Sequence, residues 1–314
     1  MRPDPRPVRA ACALMTALTT ALTIAAATTL GGASALAQPA PRPRFAPAPE
    51  PPPRLRLCAG PASGHYHAVG RLIARALQGE ALVEVVETKG SWENLGRAHA
   101  TPPQCDALIA QDDSYEIYLY ENPNRAGELE RVTALYSEHV HLLCSRQARA
   151  RSLDALPPGA GLVVGPYGSG TYITWQLITR LNPQAYRPIR AVEASAEEGL
   201  LRVADGAQAQ CMLSVSALAQ GAVARAHDDY GDRMELVPVA DPSFQREVKG
   251  RVLYRPSYVH KNVYPQLLTD HLLTQSVDAV FFLQGAWWRS FPLAAERLLA
   301  ALAQLQPAIQ RAVD

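Results

Sequence analysis

The sequence predicts an α/β protein built from two similar lobes. Three observations predict it. The chain has 314 residues, 48% hydrophobic and 19% charged, which is long enough for one or two cores and too apolar for a disordered chain. A segment of the first half is repeated in the second. Within each copy strands and helices alternate, which argues for parallel sheets covered on both faces. The formal net charge of +1 leaves no broad basic field to attract nucleic acid.

The chain opens with Arg2, Arg6 and Arg9, then runs from Ala10 to Ala40 without a charge and reaches Ala35-Leu36-Ala37. A positive start, an apolar run and a small-x-small end are the marks of an export signal cleaved near Ala37. We therefore assign residues 1–37 to a signal peptide and expect a periplasmic protein. The same stretch is long enough to cross a bilayer core of about 30 Å, so retention as an anchor is the alternative. Residues 38–53 form a Pro-rich linker, with eight prolines between 39 and 53. Such a stretch is stiff, extended and unable to pack a core.

The repeat begins after the linker. Leu57–Tyr66 reads LCAGPASGHY and Val163–Tyr172 reads VVGPYGSGTY. Each is an apolar strand, a Gly-Pro pair, a Ser/Gly turn and a Tyr that opens an apolar-periodic stretch. Helical spacing follows at 68–77 and 173–181. Next come β-rich runs at 82–87 and 189–194, short helical stretches at 93–100 and 196–206, and further strands at 105–114 and 211–219. Two βαβαβ units in tandem result. The β-like runs 131–145 and 271–283 are the two candidate crossings between lobes. Lobe 1 is expected over 54–140, lobe 2 over 141–261, and a return crossing with C-terminal helices over 262–314. The tail 293–313 is read as amphipathic helix interrupted at Pro307, packed on lobe 1.

The two turns are the most informative feature. Each precedes a helix whose first N–H groups lack partners and carry the positive end of the dipole. An anion can dock there without a cationic side chain. Ser63, Ser169 and Thr171 can cap these helices or donate hydroxyls to a ligand. Gly165 and Gly170 fit the first half of a phosphate-loop pattern, but Thr171 stands where its Lys belongs, which argues against nucleotide hydrolysis. No Gly-x-Ser-x-Gly nucleophile elbow is present.

Other residues bear chemistry more weakly. His139 and His141 share a strand face and could ligate a metal together, the reading of a metal carrier. Asp112 and Asp113 could meet the ammonium of a zwitterionic guest, or Asp113 could cap the next helix. His65 is the turn residue that an enzyme on this scaffold would use as general base. Cys58, Cys105, Cys144 and Cys211 allow three disulfide pairings, among which the sequence does not choose. The assignment made from these residues is no enzyme, no cofactor and no metal.

In these residues the chain resembles the TAXI family, the extracytoplasmic solute receptors of tripartite ATP-independent (TRAP) transporters. The first family motif, approximately GTGPTGGTYY, stands as Cys58-Ala59-Gly60-Pro61-Ala62-Ser63-Gly64-His65-Tyr66-His67. The family's GSxEN follows as Gly90-Ser91-Trp92-Glu93-Asn94, its QxD as Gln111-Asp112-Asp113, and its GPxGSGT as Gly165-Pro166-Tyr167-Gly168-Ser169-Gly170-Thr171. The resemblance covers most of 55–220. It implies a type II periplasmic-binding-protein fold: two βαβ lobes joined by a two-crossing hinge and closing on a solute. Related receptors take small carboxylates, including glutamate and dicarboxylates, and deliver them to a TRAP-type membrane permease. Ser63 replaces a Gly, and His65 and His67 replace Thr and Tyr, so the ligand does not transfer.

The expected function is capture of a small anionic organic solute, a carboxylate or an amino acid such as glutamate, for transport. A periplasmic sensor would use the same closure. The expected ligand-binding residues are Ser63, Gly64, His65, Tyr66, Ser91, Asn94, Gln111, Tyr167, Ser169, Gly170 and Thr171. Backbone N–H groups at 64–66 and 169–171 are expected to hold carboxylate oxygens.

Overall fold

The computed structural model describes residues 51–206 and 208–313. The expected signal peptide, its cleavage point and most of the Pro-rich linker lie outside them. The first repeat copy forms β1 (Arg54–Cys58), α1 (His65–Ala76), β2 (Leu82–Val86), α2 (Ser91–Ala98) and β3 (Ala107–Gln111). α3 (Asp112–Glu121) and the long β4 (Leu129–Ser145) follow. The second copy forms β5 (Gly161–Val163), α4 (Gly170–Leu181), the one-turn α5 (Pro183–Tyr186), β6 (Arg190–Val192), α6 (Ala196–Asp205) and β7 (Cys211–Ser216). The chain continues through α7 (Gly221–Tyr230), β8 (Met234–Val237), β9 (Glu247–Val248), β10 (Arg251–Val252) and β11 (Arg255–Val259). It ends with β12 (Leu272–Gln284), α8 (Gly285–Ser290) and α9 (Pro292–Val313).

The copies match in topology as well as sequence. β1 pairs in parallel with β2 and β3, and β5 with β6 and β7. The sheet order β2-β1-β3-β12-β4-β7-β5-β6 gives each copy the order second, first, third. Each third strand is flanked by a long antiparallel strand, β12 on β3 and β4 on β7. β4 and β12 also pair with each other, Leu129 facing Gln284 at one end and Val140 facing Gln275 at the other. These two strands are the runs read as crossings, and they carry the chain between the halves.

Local chemistry sets the helix bounds. α6 starts in a capping box, Ser195 with Glu198, and stops at Gly206 at φ 69°, which satisfies exposed donors at one end and left-handed backbone at the other. α1 starts at His65, before its apolar stripe; Val69 and Ile73 pack with Leu55, Leu57 and α9 residues Leu298 and Leu302. A second core joins Leu142 and Leu162 to Ile173 and Ile178 of α4. The expected break at Pro307 does not occur: α9 is continuous. Proline removes one ladder bond, but Leu302 and Ile309 on either side are buried and Gln306 Nε2 donates to Ala134 O at 3.1 Å. Packing of the apolar face outweighs the local defect.

The disulfides the sequence left open are Cys58–Cys105 and Cys144–Cys211. Cys144 and Cys211 stand opposite one another in the β4–β7 ladder. Among the described residues no helix is long and apolar enough to cross a membrane.

Candidate functional site

The two Gly-Pro turns join β1 to α1 and β5 to α4, and they are built alike. Gly60 and Gly165 take φ 73° and 79°, left-handed backbone that glycine adopts without steric cost. The Gly64 N–H donates to Pro61 O at 2.8 Å, and the Ser169 N–H to Pro166 O at 3.0 Å. Those bonds use two of the amides expected to hold a guest. The Ser169 hydroxyl caps α4 by accepting from the Tyr172 N–H at 3.2 Å. The N–H groups of His65, Tyr66, Gly170 and Thr171 stand in first helical turns, where no intrahelical acceptor exists.

Both helix starts line one cavity of about 280 Å³. Eight expected residues meet there: Gly64, His65, Tyr66, Ser91, Gln111, Ser169, Gly170 and Thr171. Gln111 ends β3 and reaches across to the other lobe, where a Cβ at Gly170 would collide with its side-chain amide. Ser91 Oγ accepts from the Gln111 N–H at 3.1 Å and lies 3.4 Å from the Tyr66 hydroxyl. Thr171 Oγ1 accepts from the Val215 N–H at 3.0 Å, tying the α4 start to β7.

Three expected residues do not line this cavity. Ser63 is exposed, because the turn points it outward and Gly64 takes the cap position of α1. Asn94 is fully buried; it bonds Thr88 Oγ1 and donates to Ile109 O at 2.8 Å, so its amide ties α2 to β3 and to the β2–α2 connection. Tyr167 is 68% exposed and lies against Tyr172 with the rings tilted 55° to one another, centroids 5.2 Å apart.

Sequence reasoning missed Tyr136, Glu138 and Ser216, which line the cavity from β4 and β7. Tyr136 and Glu138 are two apart on one strand and so share a face; that periodicity was the available signal. Tyr136 OH donates to Glu138 Oε1 at 3.4 Å. Burial pushes the Glu138 carboxyl up to about 8; hydrogen bonds from Gln111, Tyr136 and Tyr66 oppose the shift and the nearby Asp113 charge adds to it. Burial also raises Tyr66 and Tyr136, with Glu138 contributing. Burial lowers His65, against a weaker opposing hydrogen bond with Gln220. Gln111 Oε1, Ser216 Oγ and His65 Nε2 are buried without a hydrogen-bond partner.

Neither Asp112 nor Asp113 lines this cavity. Asp112 is ion-paired with Arg131 at 2.9 Å and with Arg251. Asp113 lies inside α3 rather than capping it, accepting from Thr174 Oγ1 at 2.5 Å and Tyr254 OH at 2.8 Å. Burial, against those hydrogen bonds, lifts its carboxyl to about 6. His139 and His141 do share a strand face, ring centroids 6.1 Å apart, and burial drives His141 down to about 3.

A larger cavity of about 650 Å³ lies between α2 and the 166–169 turn, with Lys89, Trp92, Arg97 and Tyr167 among its residues. Arg97 is paired with Glu93 at 2.6 Å. It lacks the paired helix starts and buried unpartnered acceptors of the smaller one.

Paired βαβαβ lobes, joined by two crossing strands and opening on a shared cavity at the strand ends, define a type II periplasmic-binding-protein fold. Known structures of that fold resemble this one. An ancestral arginine-binding protein bound to arginine matches with TM-score 0.51 and 10% identity, over 83% of this chain and 97% of that one. The alkanesulfonate-binding protein SsuA from Xanthomonas axonopodis pv. citri bound to MOPS matches with TM-score 0.50 and 12% identity, over 83% and 77%. Residues 57–285 match the NMT1-like family, and the chain belongs to it.

Proposed function

We propose that this protein is an exported receptor that captures a small carboxylate-bearing solute between its lobes and hands it to a TRAP-type permease. The observation that carries the reading is the meeting of two helix N-termini, one from each lobe, in a single cavity. The N–H groups of His65, Tyr66, Gly170 and Thr171 supply donors for a carboxylate, and the hydroxyls of Ser91 and Thr171 complete the rim. The volume sits near the lower end of small-molecule sites, about 300 Å³, which suits a compact guest. The TAXI-like motifs support the permease partner. The proposal takes 1–37 as export signal, 38–53 as spacer, 54–140 and 141–261 as the lobes and 262–314 as the return.

Closure excludes water and strengthens each donor. The role is binding rather than turnover. Native mass spectrometry of the exported protein identifies the solute that stays bound, and calorimetry then tests the site. Ser169→Asp keeps a good cap residue but sets a negative charge beside the guest's carboxylate, and should weaken binding at least about tenfold. Unchanged affinity removes the α4 start from the site. Consumption of the bound solute, lost in His65→Ala, would replace the receptor reading with an enzyme.

A further inference from the structure

We infer that Glu138, with Gln111 Oε1 and Ser216 Oγ, forms a recognition site for a protonated amine, so that the guest is a zwitterion and not a plain carboxylate or dicarboxylate. The inference rests on the carboxylate reading above and adds the other end of the ligand. The cavity offers both kinds of group. Its donors are the helix-start N–H groups of α1 and α4. Its acceptors are the Glu138 carboxyl from β4, 8% exposed, and two buried oxygens without a donor, Ser216 Oγ and Gln111 Oε1, the latter against Gly170 at the α4 start. Gln111 itself is only 2% exposed. Buried acceptors of this kind are costly to leave unpaired, and an ammonium group brings three N–H donors.

No protein cation fills that place. Lysine and arginine are absent from the described residues lining the cavity. The groups facing Glu138 are Tyr66 on α1, Gln111 on β3, Asp113 on α3 and Tyr136 on its own strand. β12 brings Val277 into register opposite it, and burial shifts His65 on α1 toward its neutral form. Asp112 is paired with Arg131 and Arg251, and Asp113, whose Oδ2 accepts from Thr174 and Tyr254, does not line the cavity. Glu138 is thus the acid left facing the guest.

A consequence in protons follows. The empty protein holds Glu138 protonated at neutral pH, its carboxyl raised to about 8. An ammonium guest favours the carboxylate, so binding releases one proton and affinity rises with pH toward about 8. A guest with only carboxylates keeps Glu138 protonated, and its affinity falls over the same range.

The test screens the twenty proteinogenic L-amino acids by thermal shift. Calorimetry then compares each binder with the acid of the same skeleton that lacks the amine. The amino acid should bind at least about 30-fold tighter, the order expected when a buried charge loses its partner. Glu138→Gln should lose at least about 30-fold for the amino acid and stay within about threefold for the deaminated acid. Titrations at pH 7 in buffers of differing ionisation enthalpy should show one proton released by the wild type and none by the variant. Equal affinity for the two ligands, an unaffected Glu138→Gln protein, or no binding by any amino acid overturns the inference. Plain acids that bind in a Ser169→Asp-sensitive way would leave carboxylate capture standing while removing the amine site. Insensitivity of every binder to Ser169→Asp would instead remove the carboxylate reading.

Discussion

Gly170 faces Gln111 across the cavity, and its lack of a side chain is what lets Gln111 reach across. Gly170→Ala places a Cβ into the Gln111 amide. We expect the solute affinity to drop about tenfold or more while the fold loses roughly 1 kcal/mol, since overpacking at one site is partly relieved by rotamer change. Calorimetry and urea unfolding on the same preparation separate the two effects. A second residue-scale prediction concerns Glu138. Its carboxyl titrates near about 8 folded and near about 4.3 unfolded. Between those values the folded state holds more protons, so the empty protein loses stability as pH rises, by up to about 1.4 kcal/mol per unit. Asp113, raised to about 6, adds the same sign only in the lower part of that window. Glu138→Gln should therefore flatten the profile from pH 6 to 8 and leave the acid side sloping. An unchanged slope from 6 to 8 in urea titrations of the variant would contradict this assignment.

At the scale of elements, the turns were the most legible part of the sequence. A glycine at positive φ followed by proline leaves a mark in residue type, because few other residues tolerate that backbone. Gly60-Pro61 and Gly165-Pro166 therefore announced both the repeat and the cavity. β4 was legible as a strand but not as a wall of the site. It was read as a crossing with a histidine pair, and which face of a crossing strand meets the cavity depends on register, which one sequence does not fix. Asn94 misled for a related reason: an amide in a binding motif and an amide pinned to Ile109 O look the same in sequence. The disulfides were out of reach because pairing needs coordinates. Cys144–Cys211 closes 67 residues between β4 and β7. Replacing both cysteines by alanine should cost about 2–4 kcal/mol, read from urea titrations with m fitted separately for each form, since the freed unfolded chain exposes more surface. Loss within error would show that the ladder alone holds these strands.

The whole molecule reads as one sheet whose centre is shared. β4 and β12 run side by side, and each also serves as the outer neighbour of one repeat copy. That arrangement puts both helix starts at the ends of parallel strands, where α/β proteins place their ligands, and lets one cavity draw on both copies. Contacts across the lobes are both polar and apolar: Asp113 with Thr174, Asp112 and Glu116 with Arg251, Gln111 against Gly170, and Ile117 of α3 packed in one core with Ile173 and Leu177 of α4. The fold class was visible from the repeat because it depends on element order. Guest chemistry was not, because it depends on which buried acceptors are left without donors.

The most direct measurement is a crystal structure of the exported protein with the solute it retains. The account predicts a carboxylate within hydrogen-bond reach of N–H groups at both the His65–Tyr66 and the Gly170–Thr171 helix starts. Density for the solute in the larger cavity beside Trp92 and Tyr167, or contact with one lobe alone, would contradict it.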